Sequence, residues 1–113
     1  MTTIWHNPRC SKSRQTLALL QNHGVEPEIR LYLTDAPGAE EIKQALALLG
    51  IPAAGLVRFG EKSAKSLGLT KASPEEDLIA AMAENPILIE RPVVFANGKA
   101  ALGRPPEAVL DIL

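Results

Sequence analysis

The chain contains a single cysteine, Cys10, in a neighbourhood that suits a reactive thiol. Apolar residues before it predict a strand and a periodic pattern after it predicts a helix, so Cys10 falls at a helix N-terminus. Backbone N–H groups and the helix dipole stabilise an anion there, and the anionic thiolate is the nucleophilic form of a group whose ordinary pKa is about 8.5. Three nearby cations favour the same charge state: Arg9, Lys12 and Arg14. We therefore predict a nucleophilic Cys10 and not a small buried apolar residue.

Other polar residues near the thiol each have two interpretations. His6 could stabilise the thiolate, or could bond to a backbone carbonyl at a strand end. The hydroxyls of Ser11 and Ser13 could line a cradle for an oxyanion or thiolate, or could only cap the helix. The sequence Cys10-Ser11-Lys12-Ser13 retains the attacking thiol of a C-x-x-C redox motif and lacks its resolving partner. Electrons for a reaction at Cys10 must therefore come from an external thiol.

Arginine residues could supply an oxyanion site beside that thiolate. The planar guanidinium is permanently charged and binds tetrahedral oxyanions through paired hydrogen bonds. Three such residues stand beside turns or prolines where periodic segments begin or end: Arg58, Arg91 and Arg104. Together they would bind a doubly charged anion and stabilise charge on oxygen as sulfur attacks, whereas singly each is also typical of a solvated surface.

Composition limits the classes of protein to which the chain can belong. A net charge of −1, with 46% hydrophobic and 22% charged residues, is ordinary for one globular domain spanning residues 1–113. This charge indicates no nucleic-acid partner, and no apolar run is long enough to span a membrane. The N-terminus resembles no export signal, so we expect a cytoplasmic protein. We also predict no metal or bound cofactor, because no ligand cluster accompanies Cys10. We predict a monomer, because a chain this small shows no evident extra interface.

The hydrophobic pattern predicts a βαβ unit at the start of the chain. Thr2–His6 and Glu28–Leu33 are predicted strands, the second because its apolar residues alternate with a period of two. Residues 11–23 are predicted to form a helix that ends at Gly24. A crossover of this length implies that the two strands are parallel.

The middle of the chain is predicted to be helical. Residues 39–49 have helical periodicity and are followed by Gly50, a suitable helix terminator. Short helical segments are predicted near residues 53–57 and 61–66. A longer helix is predicted to begin with Ser73 as its N-cap and Pro74 at its first position, and to reach about residue 84.

A hairpin and a final helix complete the predicted fold. Asn97-Gly98 between two apolar stretches predicts a type I′ turn, and Pro105-Pro106 starts a helix with three predicted core residues: Val109, Leu110 and Ile112. A parallel pair extended by an antiparallel hairpin gives a four-stranded mixed α/β sheet. This β-α-β, helices, β-β-α order predicts a thioredoxin-like domain with an inserted helical region. In that architecture Pro92 is cis and lies against the active-site cysteine.

Four short, ordered segments are distributed along the chain at characteristic separations. They are His6-Asn7-Pro8-Arg9-Cys10-Ser11-Lys12-Ser13-Arg14, Leu56-Val57-Arg58, Glu90-Arg91-Pro92-Val93-Val94 and Gly103-Arg104-Pro105-Pro106-Glu107. Together they resemble the glutaredoxin-coupled arsenate reductase family (ArsC type), with the likeness closest to its YfgD-like branch. The resemblance implies a thioredoxin-like fold carrying a helical insertion.

The resemblance also implies roles for individual residues. Cys10 matches the family's nucleophile, and its oxyanion-binding arginines correspond to Arg58, Arg91 and Arg104. His6 and Ser13 match residues that keep the thiol ionised, and Pro92 matches the cis-proline. Further candidates for substrate binding or thiolate stabilisation lie in the same loop: Ser11, Lys12 and Arg14.

The reaction implied by the resemblance is reduction of arsenate to arsenite. The Cys10 thiolate attacks arsenate, glutathione adds to the arsenic as a co-substrate, and a glutaredoxin resolves the mixed species. Two other functions remain open from the residues. A glutaredoxin-like thiol transferase would need fewer arginines. Spx-type regulators share the fold and bind RNA polymerase, but typically carry a Cys-x-x-Cys switch, whereas this chain has Ser13.

Overall fold

The computed structural model describes residues 2–113, which form two compact units. One unit joins the segment ending at Asp35 to the segment beginning at Arg91, and the other comprises residues 36–90. The prediction of a single domain over residues 1–113 stays a prediction. Among residues 2–113, no helix combines the length and apolar character that crossing a membrane requires.

The first unit is built on a four-stranded mixed sheet. Its strands are β1 (Thr3–Trp5), β2 (Glu28–Arg30), β3 (Val93–Ala96) and β4 (Lys99–Leu102), in the spatial order β2-β1-β3-β4. β1 runs parallel to β2, with Ile4 opposite Ile29, and β3 runs antiparallel to both β1 and β4. This order and these directions confirm the predicted thioredoxin-like fold.

One face of the sheet is covered by α1 (Ser11–Asn22) and by the C-terminal segment. The resulting core consists of six buried residues: Ile4, Leu20, Val94, Ala96, Val109 and Ile112. The predicted C-terminal helix is present as a 3₁₀ helix over Pro106–Ile112, and Leu110 is only half-buried in it. Gly24, with a φ of 76°, follows the end of α1 as predicted, and its N–H bonds to the Gln21 carbonyl.

The second predicted strand is shorter than its sequence pattern indicates. β2 ends at Arg30 because the chain turns: the N–H groups of Thr34 and Asp35 donate to the Leu31 carbonyl at 3.0 and 2.8 Å. Leu31 and Leu33 are 45% and 39% exposed, whereas Tyr32 between them is fully buried. The strand prediction over Glu28–Leu33 is therefore wrong after Arg30, since a turn does not preserve the alternation of a strand. The apolar side is not buried within β2 either, where Ile29 is 46% exposed.

The hairpin turn agrees with the sequence prediction. Asn97 and Gly98 have φ values of 54° and 73°, the left-handed pair that a type I′ turn requires. The Asn97 side-chain amide also donates to the Ile112 carbonyl at 2.8 Å, which ties the turn to the C-terminal 3₁₀ helix. In the resulting β3–β4 pairing, Val93 lies opposite Leu102.

The second unit contains α2 (Ala39–Leu49), α3 (Lys62–Ser66) and α4 (Glu75–Glu84), with 3₁₀ helices at Ala53–Gly55 and Pro86–Leu88. α2 has the predicted bounds and ends at Gly50, whose φ is 68°. α2 packs against α4 through apolar faces that include Ile42, Leu46, Leu78 and Met82.

The start of α4 differs by one residue from the prediction. Pro74 is the N-cap, and the Ser73 hydroxyl oxygen instead accepts the Thr70 N–H at 2.9 Å. The first turn of α4 is acidic, and the Glu75 carboxylate accepts the Ala53 N–H at 2.9 Å. That bond joins the 3₁₀ helix that begins at Ala53 to α4.

Candidate active site

Cys10 is the N-cap residue of α1 and its thiol is partly exposed. Its backbone N–H donates to the Asn7 carbonyl at 3.0 Å, and its carbonyl accepts the Arg14 N–H at 3.0 Å, which begins the helix. The sulfur therefore stands in front of the unpaired N–H groups of the first helical turn. The predicted position of the thiol at the strand-to-helix junction is confirmed.

The surroundings of Cys10 favour its ionised form. Partial burial alone would raise the pKa of the thiol, but the Ser13 N–H, the Arg91 guanidinium and the Lys12 N–H together outweigh that effect and lower the pKa below its ordinary value. Arg91 acts both as a hydrogen-bond donor and as a positive charge. A thiol with these partners is ionised to a greater extent at neutral pH than a free cysteine.

A second arginine approaches the sulfur from the exposed side. Nη2 of Arg104 lies 3.7 Å from Cys10 Sγ, a long hydrogen bond even for sulfur. Its Nε donates to the Arg91 carbonyl at 2.9 Å, so the guanidinium is oriented by the segment that also provides Arg91. Arg104 is exposed, and the groups that lower the pKa of Cys10 are the Ser13 N–H, Arg91 and the Lys12 N–H. Arg104 therefore places a second positive charge beside the sulfur.

His6 and Ser13 form a buried pair under the cysteine loop. His6 Nδ1 and Ser13 Oγ are 2.6 Å apart, and the same Oγ accepts the Asn7 N–H at 3.0 Å. The Ser13 hydroxyl keeps its hydrogen and a second lone pair, so it can bond to Nδ1 in either tautomer of the ring. Burial and then the charge of Arg14 lower the pKa of His6, which agrees with a neutral ring. The His6 ring therefore bonds to the Ser13 hydroxyl and not to a backbone carbonyl, as one of its two interpretations had it.

The Ser13→Ala variant should lose about 1–3 kcal/mol of unfolding free energy, because the buried Asn7 N–H and His6 Nδ1 lose their partner. Urea unfolding followed by the fluorescence of Trp5, the only tryptophan, measures the change. Ser11→Ala is the matched control: its exposed hydroxyl should cost no more than about 0.5 kcal/mol. Equal losses in the two variants would contradict a buried network centred on Ser13.

Asn7 organises the loop, and the sequence analysis did not single it out. It is 4% exposed, its Oδ1 accepts the Arg9 N–H at 3.0 Å, and its carbonyl accepts the Cys10 N–H. A side-chain amide that closes its own backbone turn is the usual role of asparagine before proline, so the Asn7-Pro8 pair was an available signal. Asn7 thereby fixes the approach of the chain to the helix N-terminus.

The remaining loop candidates have different surroundings. Ser11 and Lys12 are exposed, and Lys12 acts on the thiol through its backbone N–H. Arg14 Nη1 donates to the Pro8 carbonyl at 2.9 Å, so this cation fastens the loop. The Arg91–Pro92 peptide bond is cis, as the architecture predicts. The Arg104–Pro105 bond is also cis, and no feature of the sequence analysis anticipated it.

Arg58 belongs to the second unit, where its guanidinium pairs with two carboxylates. Nη1 lies 2.9 Å from Glu90 Oε1, and Nε lies 3.4 Å from Glu61 Oε1. Its backbone N–H donates to the Leu88 carbonyl at 2.7 Å, beside the bridge between Val57 and Ile89. The role of Arg58 in binding an oxyanion stays a prediction.

The residues of the first unit together make a thiolate site with two arginines. Cys10, Arg91, Arg104 and the first-turn N–H groups of α1 can activate a nucleophile and offset negative charge beside it. Among residues 2–113, no group of three or more His, Cys, Asp and Glu side chains could hold a metal ion.

Comparison with known proteins identifies the family. The model of the ArsC family matches residues 5–112. Among relatives, the Escherichia coli (strain K12) protein named "Uncharacterized protein YfgD" is 54% identical over 112 residues, covering 97% of this chain and 94% of the relative. A Neisseria meningitidis protein named arsenate reductase is 45% identical, covering 97% and 96%. The solved structure of an arsenate reductase from Vibrio cholerae has a TM-score of 0.95 at 48% identity, covering 99% of this chain and 97% of that one. The chain belongs to the ArsC family.

Proposed function

We propose that the protein is a cytoplasmic, monomeric oxidoreductase that reduces arsenate to arsenite, with the Cys10 thiolate as nucleophile. The observation on which this depends most is the partly exposed thiol at the N-terminus of α1, with the Ser13 N–H, Arg91 and Arg104 around it. Relatives named arsenate reductase support arsenate as the substrate. Glutathione and a glutaredoxin supply the electrons, because Cys10 is the only cysteine of the chain.

The first step forms a bond between sulfur and arsenic. The Cys10 thiolate attacks the arsenic of arsenate, and one arsenate oxygen leaves as water after protonation. Arsenate is an anion, and negative charge increases on its oxygens as the sulfur approaches. Arg91 and Arg104 offset that charge from the side of the thiol, and Arg58 is the third proposed ligand.

The later steps transfer an electron pair to arsenic. The glutathione thiol adds to the arsenic, and a second oxygen leaves as water. A glutaredoxin thiolate then attacks the glutathione sulfur, the bond between that sulfur and arsenic breaks, and its electron pair stays on arsenic. Arsenic is thereby reduced from the pentavalent to the trivalent state, and a disulfide forms between glutathione and glutaredoxin. Water finally cleaves the bond between Cys10 and trivalent arsenic, which releases arsenite and restores the thiol.

A coupled assay tests the proposed function. Purified protein is mixed with arsenate, glutathione, glutathione reductase, a glutaredoxin and NADPH, and NADPH oxidation is followed by absorbance. We expect oxidation to require every component, and arsenite to form in an amount equal to the NADPH consumed. An absence of arsenate-dependent oxidation with several glutaredoxins would refute arsenate as the substrate.

The same mixture separates arsenate reduction from thiol transfer. Replacing arsenate by a glutathione mixed disulfide gives a glutaredoxin-like transferase its own substrate. We expect this replacement to give a rate no higher than that of glutaredoxin alone, because a thiol transferase needs fewer arginines than the proposed oxyanion site provides. A rate with the mixed disulfide above that of glutaredoxin alone would favour the thiol transferase.

A further inference from the structure

Gly103 lies at the point where three segments of the first unit meet. It follows β4, is buried, and its N–H donates to the Pro92 carbonyl at 3.0 Å. The next residue is Arg104, whose guanidinium reaches Cys10. The backbone at Gly103 therefore carries the chain from the sheet to the arginine on the exposed side of the thiol.

The space at Gly103 excludes any side chain. A Cβ there would lie 2.5 Å from Thr16 Oγ1 and 2.6 Å from Pro92 Cγ, both far shorter than real Cβ contacts. Neither neighbour has much freedom: Thr16 is fully buried on α1, and its hydroxyl donates to the Lys12 carbonyl at 2.8 Å. Pro92 is a buried ring fixed to the backbone. Glycine is required here by the lack of space and not by its backbone conformation, because Gly103 is not among the residues with positive φ.

This close approach sets the position of Arg104. Its Nε donates to the Arg91 carbonyl at 2.9 Å and its Nη2 lies 3.7 Å from Cys10 Sγ. Both contacts depend on the segment after β4 lying directly against Pro92 and α1. A Cβ at position 103 would push this segment outward and carry the guanidinium away from the sulfur.

We infer that Gly103 is a positioning residue that places the Arg104 guanidinium at the oxyanion site beside Cys10, an assignment that rests on the proposed arsenate reduction. Gly103 has no side chain to offer the substrate, so we expect it to act on the reaction through Arg104. A displacement of about 1 Å at a binding group can lower a reaction rate by about 100-fold. Gly103 is thus required for substrate binding, although it has no charged or nucleophilic group of its own.

A double-mutant cycle tests the assignment. Gly103→Ala should lower kcat/KM for arsenate by about 10- to 100-fold, mainly by raising KM, and we expect the same of Arg104→Ala. The combined variant should be no worse than Arg104→Ala alone, because effects exerted through one group do not add. Gly38→Ala is the matched control, since a Cβ at Gly38 meets nothing within 4 Å, and it should keep the wild-type kcat/KM. Losses that add across the cycle would overturn the positioning role.

Two further measurements keep the test decisive. In Gly103→Ala/Thr16→Ala the closest obstacle is removed and only the Pro92 ring remains, so this variant should fold more readily and show a smaller loss in kcat/KM. Hydrogen exchange at Arg104 Nε–H, assigned by its disappearance in Arg104→Lys, reports the bond to Arg91 without any substrate. We expect slow exchange in the wild type and fast exchange in Gly103→Ala.

The exchange measurement separates the two hypotheses. Slow wild-type exchange that becomes fast in Gly103→Ala, in a protein that turns over no arsenate, would refute the proposed function and support the positioning of Arg104. Equal exchange in the two proteins would refute the positioning role even with full arsenate turnover.

Discussion

The Cys10→Ser variant should oxidise no NADPH in response to arsenate, a loss of at least about 1,000-fold relative to the wild type. Serine preserves the size of the side chain and its place at the N-cap of α1. A hydroxyl in that position stays neutral at pH 7, because the Ser13 N–H and Arg91 cannot compensate for its much higher pKa. The first step of the proposed reaction, attack of sulfur on arsenic, is then impossible.

Binding and chemistry can be separated in the same variant. Arg91 and Arg104 are unchanged in Cys10→Ser, so calorimetric titration should still detect arsenate binding. Unfolding monitored through buried Trp5 should match that of the wild type and so exclude a folding defect. Residual turnover above background in Cys10→Ser would contradict a covalent role for the thiol.

Much of the fold follows from local patterns in the sequence. The bounds of α2, with Gly50 after it, and the turn at Asn97-Gly98 were predicted, because a helix terminator and a type I′ turn require specific backbone angles. The end of β2 was not predicted. Leu31 and Leu33 continue the apolar alternation, but hydrogen bonds to the Leu31 carbonyl fold the chain into a turn and bury Tyr32 instead. Periodicity records which residues are apolar, and not where the chain leaves the sheet.

The site was predictable where adjacent residues form it. Cys10 at a helix N-terminus follows from the strand and helix patterns on either side of it. Contacts between distant segments left no comparable signal: Arg104 and Cys10 are 94 positions apart, and Arg58 and Glu90 are 32 apart. Gly103 is required by atoms of Thr16 and Pro92, which only the folded chain brings together.

The second large effect is expected at Arg91, which lowers the pKa of Cys10 by both hydrogen bonding and charge. Arg91→Ala removes both contributions and leaves the desolvation that raises the pKa of the thiol. Fewer molecules are then ionised at pH 7, and alkylation of Cys10 by iodoacetamide should slow by about 10-fold. The alkylation rate of Arg91→Lys should lie between those of the wild type and Arg91→Ala, because lysine restores the charge without the planar guanidinium.

The pH dependence of alkylation shows in which direction Arg91 moves the pKa of Cys10. A lowered pKa means that the wild-type thiol gains its negative charge at lower pH than an ordinary cysteine, so its alkylation rate should rise first as pH increases. The Arg91→Ala curve should be displaced to higher pH and should level off at a rate at least as high as that of the wild type, because a thiolate of higher pKa is intrinsically more nucleophilic. Arg104→Ala is the matched control and should leave the curve nearly unchanged, because Arg104 contacts the sulfur from the exposed side at 3.7 Å. If Arg104→Ala displaces the curve as far as Arg91→Ala does, both arginines stabilise the thiolate. The proposal that Arg91 holds the nucleophile while Arg104 binds the anion would then be wrong.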